Sequence, residues 1–239
     1  LVQHMNGLNI PQEGTLTVDS ITTSDPKASL RTLRQRVGLV FQYPEDQLFE
    51  ETIFKDIAFG PKNLKLPESE ITERVRWAME AVGLNYDTMR DESPFEISGG
   101  QKRRVAIAGV LALRPSYLIL DEPTAGLDPH GRDEILKTVR KLYDDNPDMT
   151  IILVTHSMED IAEQANRIIV VDKGRLVMDG TPHAIFARRK ELEAIGLTVP
   201  QVTQLMQRLR EAGLALDDSA ITVEEAVTAL SAYLNGKEA

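Results

Sequence analysis

The sequence predicts an α/β fold in which helices cover both faces of a parallel sheet. Three observations lead there. Residues 37–41, 117–120 and 150–155 are short, nearly unbroken apolar runs, the pattern of strands buried on both faces. The intervals between them carry helical periodicity rather than tight hairpin turns, so the strands run parallel. Each run ends in polar residues, Gln42, Asp121-Glu122 and His156, which places those residues together at the carboxyl edge of one sheet.

The elements follow in order. Residues 1–8 open in a helix whose face is expected to be Leu1, Met5 and Leu8, with Gly7 near its end. Residues 15–18 alternate like a strand, and residues 29–36 read as a short helix leading into the strand 37–41. Residues 67–83 repeat Ile71, Val75, Met79 and Val82 at helical spacing, and Trp77 lies off that stripe as a packing residue. Residues 98–113 form another helix. Asp128 and Pro129 supply a cap and a first-turn proline for the helix after the strand 117–120. A helix over 158–165 precedes a hairpin of residues 168–172 and 175–178, turned at Gly174. Thr181-Pro182 starts a further short helix. Residues 44–114 hold no strand-like run and are expected to be a helical insertion. Beyond Thr198 the pattern is again helical: Val202, Leu205 and Leu209 make one stripe, and Val223, Ala226, Val227 and Leu230 another.

Composition narrows the class. The 239 residues carry a formal charge of −10, 42% hydrophobic and 27% charged residues, and no cysteine. Those values suit a globular protein and leave no disulfide scaffold, cysteine–zinc site or cysteine nucleophile. No apolar run approaches the ~20 residues that span a bilayer. The acidic balance argues against a nucleic-acid binder. Lys102-Arg103-Arg104 is the local exception, read here as a solvated helix face. His4, His130 and His183 lack a metal-ligand spacing and read as surface residues.

Five short motifs carry chemistry. A strand ending in Asp121-Glu122 sets two carboxylates where one can hold Mg²⁺ and the other can activate water. Ser98-Gly99-Gly100-Gln101 at a helix start combines a cap, exposed backbone N–H groups and the positive end of the helix dipole, a cradle for phosphate. Asp128 sits in the turn just after the two acids. His156 and Gln42 each leave a strand end, where an imidazole can reach a phosphate and an amide can bind Mg²⁺ or orient water. Taken singly, each has a plain structural reading: a polar turn, a capped helix, a loop histidine. Taken together, their order along one chain is hard to reconcile with those readings.

That order resembles an ABC ATPase. Gln42 is similar to the Q-loop residue, Ser98–Gln101 to the signature motif, Asp121-Glu122 to the Walker B end, the turn of residues 125–128 to the D-loop, and His156 to the switch histidine. Phe41-Gln42-Tyr43-Pro44-Glu45-Asp46-Gln47-Leu48-Phe49, Asp56-Ile57-Ala58-Phe59-Gly60-Pro61, Ser93-Pro94-Phe95-Glu96 and Gly109-Val110-Leu111-Ala112 look like energy-coupling factor (ECF) transporter ATPases, with the cobalt-transport branch close. Residues 121–129 are similar to the A-prime partner of the heterodimeric kind.

The resemblance implies a P-loop NTPase-like core over 1–43 and 115–195, a helical signature subdomain over 44–114, and a C-terminal helical dimerisation appendage over 196–239. It implies ATP and Mg²⁺, with Asp121 and Gln42 toward the metal, Glu122 as general base, and His156 on the γ-phosphate. Ser98, Gly99, Gly100, Gln101 and Asp128 would then face the ATP of a second ABC ATPase subunit, in a homo- or heterodimer. It also implies a transmembrane coupling subunit, a separate substrate-binding membrane subunit for a vitamin or transition-metal ion, and a peripheral place on the cytoplasmic face of the membrane. Tyr43, Pro44, Leu48 and Phe49 would either meet the membrane subunit or pack inside the insertion.

One family element has no counterpart here: the Gly-x-x-Gly-x-Gly-Lys-Ser/Thr phosphate loop. Residues 1–8 resemble the helix that follows it. A few dozen further residues are therefore expected upstream of Leu1, and the chain as given is expected to be inactive alone. Two alternatives remain open at this point: a catalytically silent interaction subunit, and a non-transport ABC ATPase. Against the second, the interval from Gln42 to Ser98 accommodates a compact helical subdomain but no long coiled coil.

Overall fold

In a computed structural model, residues 1–25 and 28–235 are described. The chain divides into two compact units, Leu1–Val154 and Thr155–Ala239. The first contains α1 (Val2–Met5), β1 (Thr17–Val18), β2 (Ile21–Thr22), α2 (Leu30–Arg36), β3 (Val37–Val40), α3 (Ile53–Asn63), α4 (Glu68–Ala81), α5 (Tyr86–Met89), α6 (Gly99–Leu111), β4 (Tyr117–Asp121), α7 (Pro129–Asp145) and β5 (Thr150–Val154), with a 3₁₀ turn at Pro44–Gln47.

The three expected strands form one parallel sheet in the order β3-β4-β5. Val40 pairs with Leu120, and Asp121 pairs with Val154, so the carboxyl ends are level. Alternate residues serve opposite layers. Val40, Leu118 and Leu120 join Ile57, Val75, Met79, Ile107, Leu111 and Ile135 of the crossover helices in the main core. Leu39 and Ile119 instead pack with Leu33 of α2, flanked by Val2, Met5, Val18 and Ile21. Gly38 allows α6 its approach to β3: a Cβ there would sit 2.5 Å from Val110 Cγ1.

Side-chain caps set the helix starts. Ser29 Oγ accepts from Thr32 N–H at 3.2 Å, and Thr52 Oγ1 from Lys55 N–H at 3.2 Å. Asp128 Oδ1 accepts from Gly131 N–H at 2.8 Å, with Pro129 at the first helical position. Ile71, Val75, Met79 and Val82 are all buried, as the periodicity of α4 predicts, and Ala78 joins them. Trp77 packs against the main core.

Two expectations for this unit need correction. The packed side of α1 is half-buried Val2 and Met5, whereas Leu1 and Leu8 are exposed. The helix is a single turn, and Gly7 at φ +68° redirects the chain before Leu8 can share its face. Of residues 15–18, only Thr17–Val18 forms a strand, which pairs antiparallel with β2 in a hairpin. That hairpin is anchored at its turn. Asp19 accepts a hydrogen bond from the Tyr117 hydroxyl at 2.7 Å and an ion-paired one from Arg36 at 2.7 Å.

The second unit comprises α8 (Met158–Gln164), β6 (Ile168–Asp172), β7 (Arg175–Gly180), α9 (Pro182–Phe186), α10 (Arg189–Ala194), α11 (Gln201–Glu211) and α12 (Val223–Asn235). β6 and β7 form the expected hairpin, with Lys173 and Gly174 both at positive φ (48° and 76°) in the two-residue turn. That geometry matches the right-handed twist of the strands. Met158, Ile168, Val170, Met178, Ile185 and Phe186 are the centre of its core.

The terminal helices keep part of the expected stripes: Val202 and Leu209 of α11 and Ala226 and Leu230 of α12 pack into a common core, whereas Leu205, Val223 and Val227 do not. In α11, Met206 and Thr203 are buried while Leu205 is 50% exposed. In α12, Ala226 is buried, with Ala229, Leu230 and Tyr233 packed beside it, while Val223, Val227 and Leu234 are exposed. Thr203 can be buried because its hydroxyl donates to Ala220 O at 2.9 Å. Among the described residues, no helix is long and apolar enough to cross a membrane.

Candidate functional site

The sheet brings Gln42, Asp121 and Glu122 to one edge. Gln42 follows β3 by two residues and is exposed; Asp121 closes β4, and both acids are half-buried. Glu122 N–H donates to Val154 O at 2.8 Å, one step beyond the last β4–β5 pair. Its backbone then turns into the left-handed region at φ +48°, a conformation that L side chains rarely adopt. Strain of this kind clusters at functional sites, where surrounding structure enforces it. Tyr43, beside Gln42, shares it at φ +56°.

Electrostatics single out Asp121. Burial and the neighbouring Glu122 carboxylate raise its pKa above the usual 3.8. Two acids held close at a half-buried strand end form a site that a divalent cation would relieve. Among the described residues, no group of three or more His, Cys, Asp or Glu could hold a metal. One carboxylate with an amide oxygen still fits Mg²⁺, which takes hard oxygen ligands and completes its shell with water and phosphate oxygens.

The signature begins α6. Ser98 and Gln101 form a reciprocal capping box: Ser98 Oγ accepts from Gln101 N–H at 3.3 Å, and Gln101 Oε1 accepts from Ser98 N–H at 3.0 Å. A Cβ built on Gly99 or Gly100 would meet nothing within 4 Å. The chain's own packing therefore does not demand glycine there. What glycine provides is unobstructed access to the first N–H groups of the helix.

Asp128, exposed, is committed through Oδ1 to capping α7, as its position before Pro129 predicts. His156 follows β5 by two residues and is exposed in the second compact unit. Of the aromatic stretch, Pro44 and Leu48 pack inward, while Tyr43 and Phe49 stay exposed. Phe49 stacks edge-to-face on exposed Phe59, with centroids 5.0 Å apart.

The basic cluster overturns its sequence reading. Arg103 is not on a solvated face: its side chain is 1% exposed and ion-paired with Glu45 at 2.6 Å. Arg104 is also largely covered and lies 3.6 Å from Glu134. A run of three basic residues gives no hint of burial. The signal available was helical phase, since Arg103 lies one turn before Ile107 and two turns before Leu111 on the buried face of α6.

Comparison with known proteins agrees with this geometry. A family model described as "ABC transporter" matches residues 1–125. The chain is 54% identical over 237 residues to the energy-coupling factor transporter ATP-binding protein EcfA2 of Clostridium tetani, covering 99% of this chain and 82% of that protein. Among solved structures, it is similar to cbiO1 from Clostridium perfringens, described as part of the ABC transporter complex cbiONQ. The TM-score is 0.69 at 38% identity, over 86% of this chain and 80% of that one. A dimeric ATP-binding cassette in a post-hydrolysis state, bound to ADP and Pi, matches with TM-score 0.63 at 25% identity, over 76% and 78% of the two chains. With a three-stranded parallel sheet, two acids at its edge and a capped glycine signature in place, the chain belongs to the ABC transporter family of ATP-hydrolysing subunits, among the energy-coupling factor transporter ATP-binding proteins.

Proposed function

We propose that this chain is one half of a composite ATPase that drives uptake of a vitamin or transition-metal ion through separate membrane subunits. The observation that carries the reading is the pair of open glycines at a fully capped helix start, which supports close approach of a phosphate to its first N–H groups. Ser98, Gly99, Gly100 and Gln101 would cap a partner's ATP, and Asp128 would lie at the junction of the two sites. Asp121 and Gln42 would hold Mg²⁺, which when bound neutralises charge developing on the phosphates. Glu122 would accept the proton of the attacking water, and His156 would contact the γ-phosphate. The core of this reading spans 1–43 and 115–195, the signature subdomain 44–114, and the pairing appendage 196–239.

Exposed Leu205, Val223, Val227 and Leu234 support pairing through the appendage, because apolar surface of that kind favours a partner. Exposed Tyr43, Phe49 and Phe59 similarly support contact with a membrane subunit, and on this reading the chain would lie peripherally on the cytoplasmic face. The experiment is ATP hydrolysis by the complete transporter carrying Glu122→Gln. Hydrolysis is expected to fall about 10²–10⁴-fold, the range for loss of a general base, with ATP-dependent pairing retained. Unchanged hydrolysis would remove Glu122 from this role.

A further inference from the structure

Arg103 makes contacts that its place in α6 does not require. Its guanidinium is buried, and a buried charge persists only when paired and hydrogen-bonded. Nε donates to Glu45 Oε2 at 3.0 Å and one terminal nitrogen to Glu45 Oε1 at 2.6 Å, a bidentate pair. The other terminal nitrogen donates to both Pro123 O and Ala125 O, each at 2.8 Å. One side chain thus joins three segments. They are the start of the signature helix, the 3₁₀ turn directly after Gln42 and Tyr43, and the loop between Glu122 and Asp128.

Neither of the two contacted segments is a strand of the sheet, so sheet pairing does not fix their mutual position. The same two loops also approach each other closely at Gly126, where an added Cβ would lie 3.2 Å from Tyr43 Cε1. The Glu45 side chain remains 21% exposed, so this end of the link reaches the surface near exposed Tyr43. Lysine could not replace Arg103, because a point charge with three donors cannot hold a bidentate carboxylate and two carbonyls together.

We infer that Arg103 is a positioning residue which, through Glu45, couples the segment after Gln42 to the Glu122–Asp128 loop and to the signature. This rests on the composite-ATPase reading above. A displacement imposed on the Gln42 side, where the exposed aromatics lie, moves Glu45, and Arg103 passes it to the carbonyls that follow Glu122. The pair therefore matters most when the membrane subunits load that side.

The test measures kcat and KM for ATP in two settings: the complete ATPase pair alone, and the same pair assembled with its membrane subunits. Variants are Glu45→Gln, Glu45→Asp and Arg103→Lys, with thermal melting as the folding control. Expected is a KM within about twofold of wild type, and a kcat that falls at least about 5-fold further in the assembled transporter than in the free pair, the lower end of ordinary site-to-site coupling. Arg103→Lys should not rescue. The inference is overturned if folded Glu45→Gln or Glu45→Asp lowers kcat equally in both settings, or in neither. A wild-type assembly that hydrolyses no ATP would instead refute the composite-ATPase reading itself.

Discussion

The Tyr43 ring lies against Gly126, so closely that a Cβ on Gly126 would be 3.2 Å from Tyr43 Cε1, and Gly126 itself has φ +74°. Alanine there faces both constraints at once. Its left-handed backbone alone costs about 1–2 kcal/mol. Gly126→Ala is expected to lower Tm by roughly 2–4 °C per kcal/mol lost. Adding Tyr43→Ala should recover only the steric share. A Gly126→Ala melting curve that overlays wild type would contradict the contact.

Gly38 makes a stability prediction free of backbone strain. Its Cβ would meet Val110 Cγ1 at 2.5 Å and Pro115 Cγ at 3.2 Å. Overpacking a tight core site costs about 1–3 kcal/mol. Gly38→Ala is expected to destabilise the first unit by that amount, and Val110→Ala to relieve part of it. Denaturant unfolding of the two single variants and the double variant measures the coupling.

The Asp19 clasp makes a pH prediction. Hydrogen bonds from Tyr117 and Arg36 lower the Asp19 pKa below 3.8. A carboxyl with a lowered folded pKa contributes its full stabilisation above the unfolded value and loses it as pH falls through the folded one. The melting difference between wild type and Asp19→Asn should therefore be constant near neutrality and shrink below about pH 4. A difference that stays constant into strong acid would show that Asp19 titrates normally.

Phe49 and Phe59 separate folding from assembly. Their edge-to-face pair contributes about 0.5–1.5 kcal/mol at most. Phe49 is 57% exposed, so Phe49→Ala should leave the fold nearly intact. Its expected effect is on co-purification with the membrane subunits, which should fall severalfold. Full assembly with Phe49→Ala would move the contact elsewhere.

The legible parts of the molecule were those where local chemistry and tertiary demand agree. The strands β3, β4 and β5 read directly because they are buried on both faces, and Ser98 and Asp128 read directly as caps. The candidate residues Gln42, Asp121 and Glu122 were found through strand ends, a property that register preserves. Three things were hidden. The strand β2 is two residues long, too short for any period. The phase of α11 was read only in part, with Val202 and Leu209 on the packed side but Leu205 not, because Thr203 is buried by virtue of one hydrogen bond to Ala220, invisible in a hydropathy pattern. Arg103 reads as solvated because the groups that make its burial possible, the Glu45 carboxylate 58 positions away and the Pro123 and Ala125 carbonyls, are remote in sequence.

The positive φ of Glu122 bears on how this ATPase is controlled. Its left-handed turn comes one step beyond the sheet, where Glu122 N–H donates to Val154 O. The backbone at this position is thus held by the same pairing that builds the sheet edge. On the composite-ATPase reading, control would act by delivery: what would vary from cycle to cycle is whether water, phosphate and the opposing signature arrive at a carboxylate whose backbone the fold already holds.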